Sequence, residues 1–279
     1  MRLLLIIILF IAYFNVSEAK ILKVAVIDTG FNTKHKTFPI CKSGSVDFTG
    51  LGMHDTNGHG NNISHIIDKH AKSGKYCQMP LKYYGVANSL LATMSAMEYA
   101  WKNGAAIVNY SSGGEGYDIE EHILIKKMLD ANMVIVVAAG NNGQDLDKNC
   151  NYYPACYDKR LVVVGNLSSS TKRNITSNFG SIVKAWEIGT NVSAGGYTLT
   201  GTSQATAVFT GRLIHQHGLR YPQSIESKTT EAITKIPAIK NKIKEIEKKI
   251  KKKLPKSSKY IIPITNMIID KEIQILITF

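Results

Sequence analysis

Leu22-Lys23-Val24-Ala25-Val26-Ile27-Asp28-Thr29-Gly30 is a short β-prone run that ends in a turn. Similar β-prone runs recur later in the chain, at 105–109, 133–138 and 161–164. Segments with helical spacing of apolar residues lie between and after them, at 59–70, 90–102, 120–131 and 204–212. Strands that alternate with helices indicate a parallel sheet covered on both faces. The sequence therefore predicts an α/β fold, a three-layer sandwich with a mostly parallel sheet.

Chemistry-bearing residues follow several of these predicted strands. Asp28, the turn at 111–114 and the pair Gly140-Asn141 all fall at strand ends, where sheets of this kind bind ligands. The first strand is not followed by Gly-x-Gly-x-x-Gly, and the chain has no Gly-x-x-x-x-Gly-Lys-Ser/Thr. These absences argue against nucleotide-dependent chemistry.

Composition excludes several classes of protein. The 279 residues are 44% hydrophobic and 20% charged, which is enough for a sizeable core and argues against disorder. Beyond the N-terminus, no apolar run approaches the ~18 residues that a membrane span needs. In the helical segment 90–102, Met94, Met97 and Trp101 are spaced for one face.

The first nineteen residues have the pattern of a secretory signal. Arg2 precedes an apolar run at 3–14, and Ser17-Glu18-Ala19 provides a small-residue exit. We expect cleavage after Ala19 and a secreted or extracytoplasmic location, with an uncleaved signal anchor as the alternative.

The chain has four cysteines, and disulfides are permitted in a protein that leaves the cytosol. Three pairings are open from the sequence. Cys150 and Cys156 close a tight loop and are the preferred pair, which leaves Cys41 for Cys77. Zinc is the competing use, but no Cys-x-x-Cys spacing supports it.

The formal net charge of +13 is concentrated near the C-terminus, where 226–259 holds twelve lysines and four glutamates. Isoleucines at steps of three and four predict an amphipathic helix there. A docked or coiled-coil helix is the first interpretation, and an anionic membrane surface or a partner protein is the alternative. No nucleic-acid partner is expected, because aromatic interleaving and finger motifs are absent. Two β-prone runs, 260–264 and 273–277, follow.

Three further motifs supply an acid, a base and a hydroxyl in the order Asp, His, Ser. Asp28 is followed by Thr29-Gly30, His59 lies in Asn57-Gly58-His59-Gly60, and Ser203 lies in Gly201-Thr202-Ser203-Gln204-Ala205-Thr206. A serine hydroxyl is a weak nucleophile unless an imidazole removes its proton, and the imidazole needs a carboxylate to hold its tautomer. The three motifs together predict an acyl-transfer triad.

On these motifs, the chain from about Leu22 to about His217 resembles the subtilisin-like serine proteases, or subtilases. The resemblance implies a subtilisin-like fold in which Ser203 attacks the scissile carbonyl, His59 transfers the proton and Asp28 orients His59. Val136 to Asn141 resembles the family strand whose asparagine contributes to the oxyanion hole, so Asn141 takes that role beside the Ser203 backbone N–H.

The resemblance also implies a substrate-binding edge. It comprises two segments of the chain: Ser111, Ser112, Gly113 and Gly114, and Ala138, Ala139 and Gly140. Extended peptide is expected to pair with the first segment as an added strand. Tyr152-Tyr153-Pro154-Ala155 and Ser177-Asn178-Phe179-Gly180 match landmarks near the primary pocket, and Tyr152 is expected to make that pocket shallow.

The sequence departs from the family pattern beside His59, where Asn61-Asn62-Ile63-Ser64-His65 replaces Thr-His-Val-Ala-Gly. The packing behind His59 must therefore differ. Five other histidines, His35, His54, His65, His70 and His122, are interpreted as surface or core residues rather than metal ligands. Only residues 20–23 separate the predicted signal from the first strand. We therefore expect the catalytic domain to fold unaided or with help from the C-terminal segment 224–279.

These observations predict a secreted serine endopeptidase that forms an acyl-enzyme on Ser203 and acts on protein or peptide substrates. The predicted organisation is a signal peptide (1–19), a catalytic domain (20–221) and a C-terminal extension (222–279) that joins the Lys-rich helix to the β-prone runs. Alternatives are a catalytically silent binding protein of the same fold and a membrane-surface protein acting through its basic extension. No cofactor is required; calcium, which relatives often bind, cannot be placed, and no metal site is assigned.

Overall fold

Alternation along the first strand sets the layers of the fold. A computed structural model of the protein describes residues 21–32, 38–72, 75–87 and 89–216. Strand β1 (Leu22–Asp28) directs Val24 and Val26 into one core cluster, and Ala25 and Ile27 into another. Both faces of this strand are therefore buried, as expected for a central strand of a covered parallel sheet.

The sheet grows outward from β1. Its members, in chain order, are β1, β2 (Val46–Asp47), β3 (Tyr76–Lys82), β4 (Ile107–Tyr110), β5 (Val134–Ala138), β6 (Val162–Ser169), β7 (Lys172–Arg173) and β8 (Val183–Ile188). The spatial order is β2-β3-β1-β4-β5-β6-β7, and β8 pairs with β6. All pairs are parallel except β6 with β7. A separate antiparallel hairpin joins β9 (Val192–Ala194) to β10 (Tyr197–Leu199).

Helices cover both faces of the sheet. Helix α1 (His59–Ala71) and helix α4 (202–216) contribute Ile63, Ile66, Ala205 and Val208 to the cluster that contains Val24. Helices α2 (Ser89–Lys102) and α3 (Ile119–Asp130) contribute to the opposite cluster. The predicted three-layer α/β class is thereby confirmed.

Helix α2 packs on the sheet mainly through small side chains. Its buried side is built around Ala92, Ala96, Met97 and Ala100, whereas Trp101 is 36% exposed. The alanines therefore occupy the interface with the sheet, and of the three residues predicted to share one face, Met97 is buried.

Both predicted cysteine pairs are disulfides in the structure. Cys41 bonds to Cys77 at the start of β3, and Cys150 bonds to Cys156. No cysteine among the described residues is free, so a zinc site built from these four thiols is excluded.

Several predictions lie outside the described residues. They concern the signal peptide (1–19), His35, the domain boundary at 221 and the extension 222–279. Within the part of the chain that the structure describes, no helix has both the length and the apolar character of a membrane span.

Candidate active site

The carboxyl end of β1 carries a buried carboxylate that is bonded to an imidazole. Asp28 is 4% exposed and is the last residue of β1, and His59 is the first residue of α1. Oδ1 of Asp28 lies 2.7 Å from Nδ1 of His59, and it also accepts a hydrogen bond from the Thr29 N–H at 2.8 Å. Since a carboxylate can only accept, Nδ1 of His59 carries the proton and Nε2 is left as the basic nitrogen.

Electrostatics favour the protonated form of this imidazole. Burial by itself lowers the pKa of His59, but the charge of Asp28, the hydrogen bond to it and the charge of Asp55 together raise the pKa above its ordinary value. The site therefore stabilises the imidazolium that forms when His59 accepts a proton.

Asp55 organises the start of α1 and was not identified from the sequence. Its Oδ1 accepts hydrogen bonds from the Thr29 hydroxyl at 2.9 Å, the Asn57 N–H at 3.1 Å and the Gly58 N–H at 2.9 Å. Its Oδ2 accepts from the Asn61 N–H at 2.8 Å. Asp55 is 2% exposed, and it satisfies donors that the helix itself leaves unpaired. An aspartate shortly before Gly58-His59-Gly60 is the sequence signal that could have identified it.

Ser203 lies in the first turn of α4 and is hydrogen-bonded to Ser111, the residue that follows β4. Its hydroxyl donates to the Ser111 carbonyl at 2.8 Å, and the Ser111 hydroxyl donates to the Ser203 carbonyl at 3.2 Å. No hydrogen bond joins Ser203 to His59 within the described residues. Rotation about the Cα–Cβ bond of Ser203 is therefore required before the imidazole can take its proton.

Strand pairing brings the two halves of the site together. Ile27 of β1 is opposite Tyr110 of β4, so Asp28 and Ser111 follow at the ends of adjacent parallel strands. Neighbouring strands are about 4.8 Å apart. The Asp28–His59 pair and the Ser203 hydroxyl consequently share one edge of the sheet.

Asn141 is fixed by the residue that precedes Ser203. Its Oδ1 accepts hydrogen bonds from the Thr202 N–H at 2.9 Å and from the Thr202 hydroxyl at 3.1 Å. These two donors determine the amide orientation, so the Nδ2 donor faces away from Thr202. The Ser203 N–H lies in the first turn of α4, where backbone donors have no acceptor within the helix. Asn141 and Ser203 thus offer two donors beside one hydroxyl, an arrangement suited to a developing oxyanion.

The end of β4 presents only part of the expected peptide-binding edge. Gly114 is already paired with Tyr153, through a bond from its N–H at 2.9 Å and a bond to its carbonyl at 2.8 Å. The Ser112 hydroxyl accepts a hydrogen bond from Tyr83 at 2.7 Å. This leaves Ser112 and Gly113 as the part of the predicted edge for which no backbone pairing is seen among the described residues.

The second predicted segment, Ala138 to Gly140, is held from behind. The Ala139 carbonyl accepts a hydrogen bond from the Asn178 amide at 2.9 Å, and the Gly140 carbonyl accepts one from the Asn178 N–H at 2.9 Å. The Gly140 N–H donates to the Thr202 hydroxyl at 3.2 Å. The backbone that leads to Asn141 is consequently rigid.

The structure explains why the sequence departs from the family pattern at residues 61–65, next to His59. Asn62 is fully buried, and its amide donates to the carbonyls of Ala194 at 3.0 Å and Tyr197 at 3.1 Å in the β9–β10 hairpin. Its side-chain oxygen accepts from Gln204 at 3.1 Å. Asn62 therefore ties the helix of His59 to both the hairpin and the helix of Ser203. This is the altered packing that the sequence predicts behind His59.

Two of the other described histidines have partners outside the Asp28–His59 pair. Nδ1 of His65 lies 2.7 Å from the Asn61 carbonyl, and the His122 ring stacks on Tyr157. Among residues 21–32, 38–72, 75–87 and 89–216, no three His, Cys, Asp or Glu side chains are grouped to hold a metal ion.

Comparison with known proteins places this geometry in a family. The sequence model of the subtilase family matches residues 19–235. The chain is 30% identical over 230 residues to Subtilisin-like protease 1 of Pseudogymnoascus destructans, covering 76% of this chain and 56% of that protein. It is 29% identical to Subtilisin DY of Bacillus licheniformis, covering 66% of this chain and 72% of that protein. The chain spans about half the length of most of the curated relatives compared.

Solved structures agree with the sequence comparison. A cold adapted subtilisin-like serine proteinase matches with a TM-score of 0.58 and 27% identity, over 72% of this chain and 78% of that one. A lanthipeptide protease shares the fold at a TM-score of 0.60 and 20% identity, over 73% of this chain and 74% of that one. The fold is thus subtilisin-like, and the chain belongs to the subtilase family.

Proposed function

We propose that this protein is a secreted serine endopeptidase that hydrolyses peptide bonds through an acyl-enzyme on Ser203. The observation that carries the proposal is the 2.7 Å contact between Asp28 and His59 at the strand end adjacent to Ser203. Membership of the subtilase family supports the same assignment.

We assign residues of the chain to each step of the reaction. Ser203 rotates away from the Ser111 carbonyl, transfers its proton to Nε2 of His59 and attacks the scissile carbonyl. Asp28 stabilises the resulting imidazolium, while the Asn141 amide and the Ser203 N–H bind the oxyanion. His59 then gives the proton to the leaving amine. Water, activated by His59, hydrolyses the acyl-enzyme and restores Ser203.

The substrate is a protein or peptide in extended conformation. The backbone of Ser112 and Gly113 follows β4 and has the position of a strand edge beside the Ser203 hydroxyl. An extended segment that pairs with this edge delivers its carbonyl to the site without loss of backbone hydrogen bonds. Processing after Ala19 would place the enzyme outside the cytoplasm.

The proposal is tested by hydrolysis of casein and of a fluorogenic peptide library with the purified full chain and two serine variants. Ser203→Ala is expected to lose at least about 10³-fold of the wild-type rate, because the nucleophile is removed. Ser168→Ala changes an exposed serine on β6 and is expected to leave the rate unchanged. Equal hydrolysis by wild type and Ser203→Ala would refute the assignment of Ser203. No hydrolysis by folded wild type would refute the enzyme and favour a binding protein of the same fold.

A further inference from the structure

A tyrosine ring occupies the space between the two backbone segments that flank the candidate active site. A Cβ built on Gly113 would lie 2.8 Å from Cε1 of Tyr152, and one built on Gly140 would lie 2.8 Å from Cε2 of the same ring. These distances are shorter than real Cβ contacts, so the ring touches both glycines. Tyr152 therefore spans the gap from the end of β4 to the end of β5.

This gap is where the side chain of a bound substrate residue would enter. The reacting carbonyl must lie between the Ser203 hydroxyl, which is bonded to Ser111, and the amide of Asn141, which follows Gly140. The side chain of the residue that supplies this carbonyl begins one bond away from the reacting carbon. The space next to it lies between Gly113, two residues after Ser111, and Gly140, the residue before Asn141, and the Tyr152 ring contacts both glycines.

The ring is held in this position. Tyr152 is 8% exposed and belongs to the core cluster on the α2–α3 face of the sheet. The next residue, Tyr153, pairs with Gly114 through two backbone hydrogen bonds, which anchors the chain beside the first segment. Burial raises the pKa of the Tyr152 hydroxyl above its ordinary value of about 10, so the ring stays neutral at neutral pH and above.

We propose that Tyr152 is a specificity-determining residue that limits the residue before the scissile bond to glycine, alanine or serine. The inference rests on the proposed function. A side chain with more than one or two heavy atoms would overlap the ring, whereas a methyl or hydroxymethyl group needs little depth. Charged side chains would also lose their hydration against a neutral ring without gaining a partner.

The test compares kcat/KM for a matched pair of fluorogenic peptides that carry alanine or phenylalanine before the cleaved bond. Wild type is expected to favour alanine by about 100-fold or more, since a filled pocket excludes the larger group. Cleavage sites in a digested proteome, read by mass spectrometry, provide the same preference without a variant. Equal use of alanine and phenylalanine by wild type would overturn the proposal.

Two variants assign the preference to the ring. Tyr152→Gly is expected to raise kcat/KM for the phenylalanine peptide about 100-fold, because it opens the gap. Tyr152→Phe keeps the ring and removes only the hydroxyl, so its preference should stay that of wild type. A folded Tyr152→Gly that keeps the wild-type preference would overturn the assignment. Should this variant fail to fold, the wild-type preference still tests the proposal, because equal use of the alanine and phenylalanine peptides would overturn it.

Acylation by p-nitrophenyl acetate separates this inference from the proposed function, because an acetyl group carries no side chain. A Ser203-dependent burst together with equal cleavage of both peptides overturns the role of Tyr152 alone. No burst and no peptide cleavage by folded protein overturns the proposed function, and the role of Tyr152 with it.

Discussion

Replacement of Asp28 by asparagine removes one charge from the candidate site and changes little else. Oδ1 of Asp28 accepts hydrogen bonds from both His59 and Thr29, whereas Oδ2 is buried without a partner among the described residues. An asparagine therefore places its oxygen at the Oδ1 position, because a nitrogen there would face the Thr29 N–H. The His59 tautomer is retained, and the loss is that of the attraction between carboxylate and imidazolium.

The size of this loss follows from Coulomb's law. With about 4 Å between charge centres and an effective dielectric constant of about 20, the attraction is about 4 kcal/mol. The Asp28→Asn variant should therefore have a kcat lower by about 10³-fold, since about 1.4 kcal/mol corresponds to a factor of ten. KM should change little, because Asp28 is buried beneath His59.

The pH dependence gives a second readout for the same variant. His59 must be neutral to act as a base, so kcat/KM rises with pH through the His59 pKa, which in wild type lies above the ordinary value of about 6.5. Without the charge of Asp28, burial carries more weight and the pKa of His59 falls. The acid limb of the profile should therefore move to lower pH.

The assay is kcat/KM for a fluorogenic peptide between pH 5 and 10, for wild type, Asp28→Asn and the control Asp130→Asn. Asp130 is an exposed carboxylate bonded to Arg160, and its loss should leave rate and profile unchanged. A kcat within threefold of wild type for Asp28→Asn, or an acid limb that stays in place, would refute the reasoning.

Three further changes have defined expectations. Asn141→Ala should lower kcat by about 10²-fold with little change in KM, because it removes one oxyanion donor worth about 3 kcal/mol. A KM raised by the same factor, with kcat unchanged, would contradict this. Asn62→Ala should lower the free energy of unfolding by about 2–4 kcal/mol in urea titrations, since it removes a fully buried amide that donates to two hairpin carbonyls and accepts from the buried Gln204; a loss under about 1 kcal/mol would contradict it. Removal of the disulfide between Cys41 and Cys77, separated by 36 residues, should cost about 4 kcal/mol, against about 2 kcal/mol for the other disulfide, separated by 6; the reverse order would contradict the loop-closure argument.

The elements that the sequence predicts well are those with an unambiguous pattern. Val24 to Ile27 is a continuous apolar run between two covering layers, and Ile63, Ile66 and Ile67 repeat at helical spacing and are fully buried. Strand β3 carries no such pattern, although every one of its seven residues is buried. It contains Gln78, Pro80 and Lys82, which are uncommon in central strands.

Tertiary partners explain why β3 tolerates these residues. The Gln78 amide donates to the Ser64 carbonyl at 3.0 Å, and the Lys82 amine donates to the carbonyls of Gly52 and His54 at 2.8 and 2.9 Å. These acceptors lie on loops and helices distant in sequence. No local pattern in the chain could identify them.

The residues of the candidate site divide in the same way, into those that a local motif identifies and those that depend on distant partners. Asp28, His59 and Ser203 were predicted because each lies in a short motif, and the structure joins the first two directly. Asp55 and Asn62 were not assigned roles, because their importance lies in hydrogen bonds to elements that the sequence cannot place. Asp55 bonds across to Thr29, and Asn62 bonds to a hairpin more than a hundred residues later.

Reaction of the purified protein with a fluorophosphonate probe tests the central claim most directly. Intact mass should show one adduct on wild type and none on Ser203→Ala, and peptide mapping should locate the adduct on Ser203. That result would establish an activated serine beside a formed oxyanion site. Folded wild type that stays unlabelled, or Ser203→Ala that is labelled equally, would contradict the account.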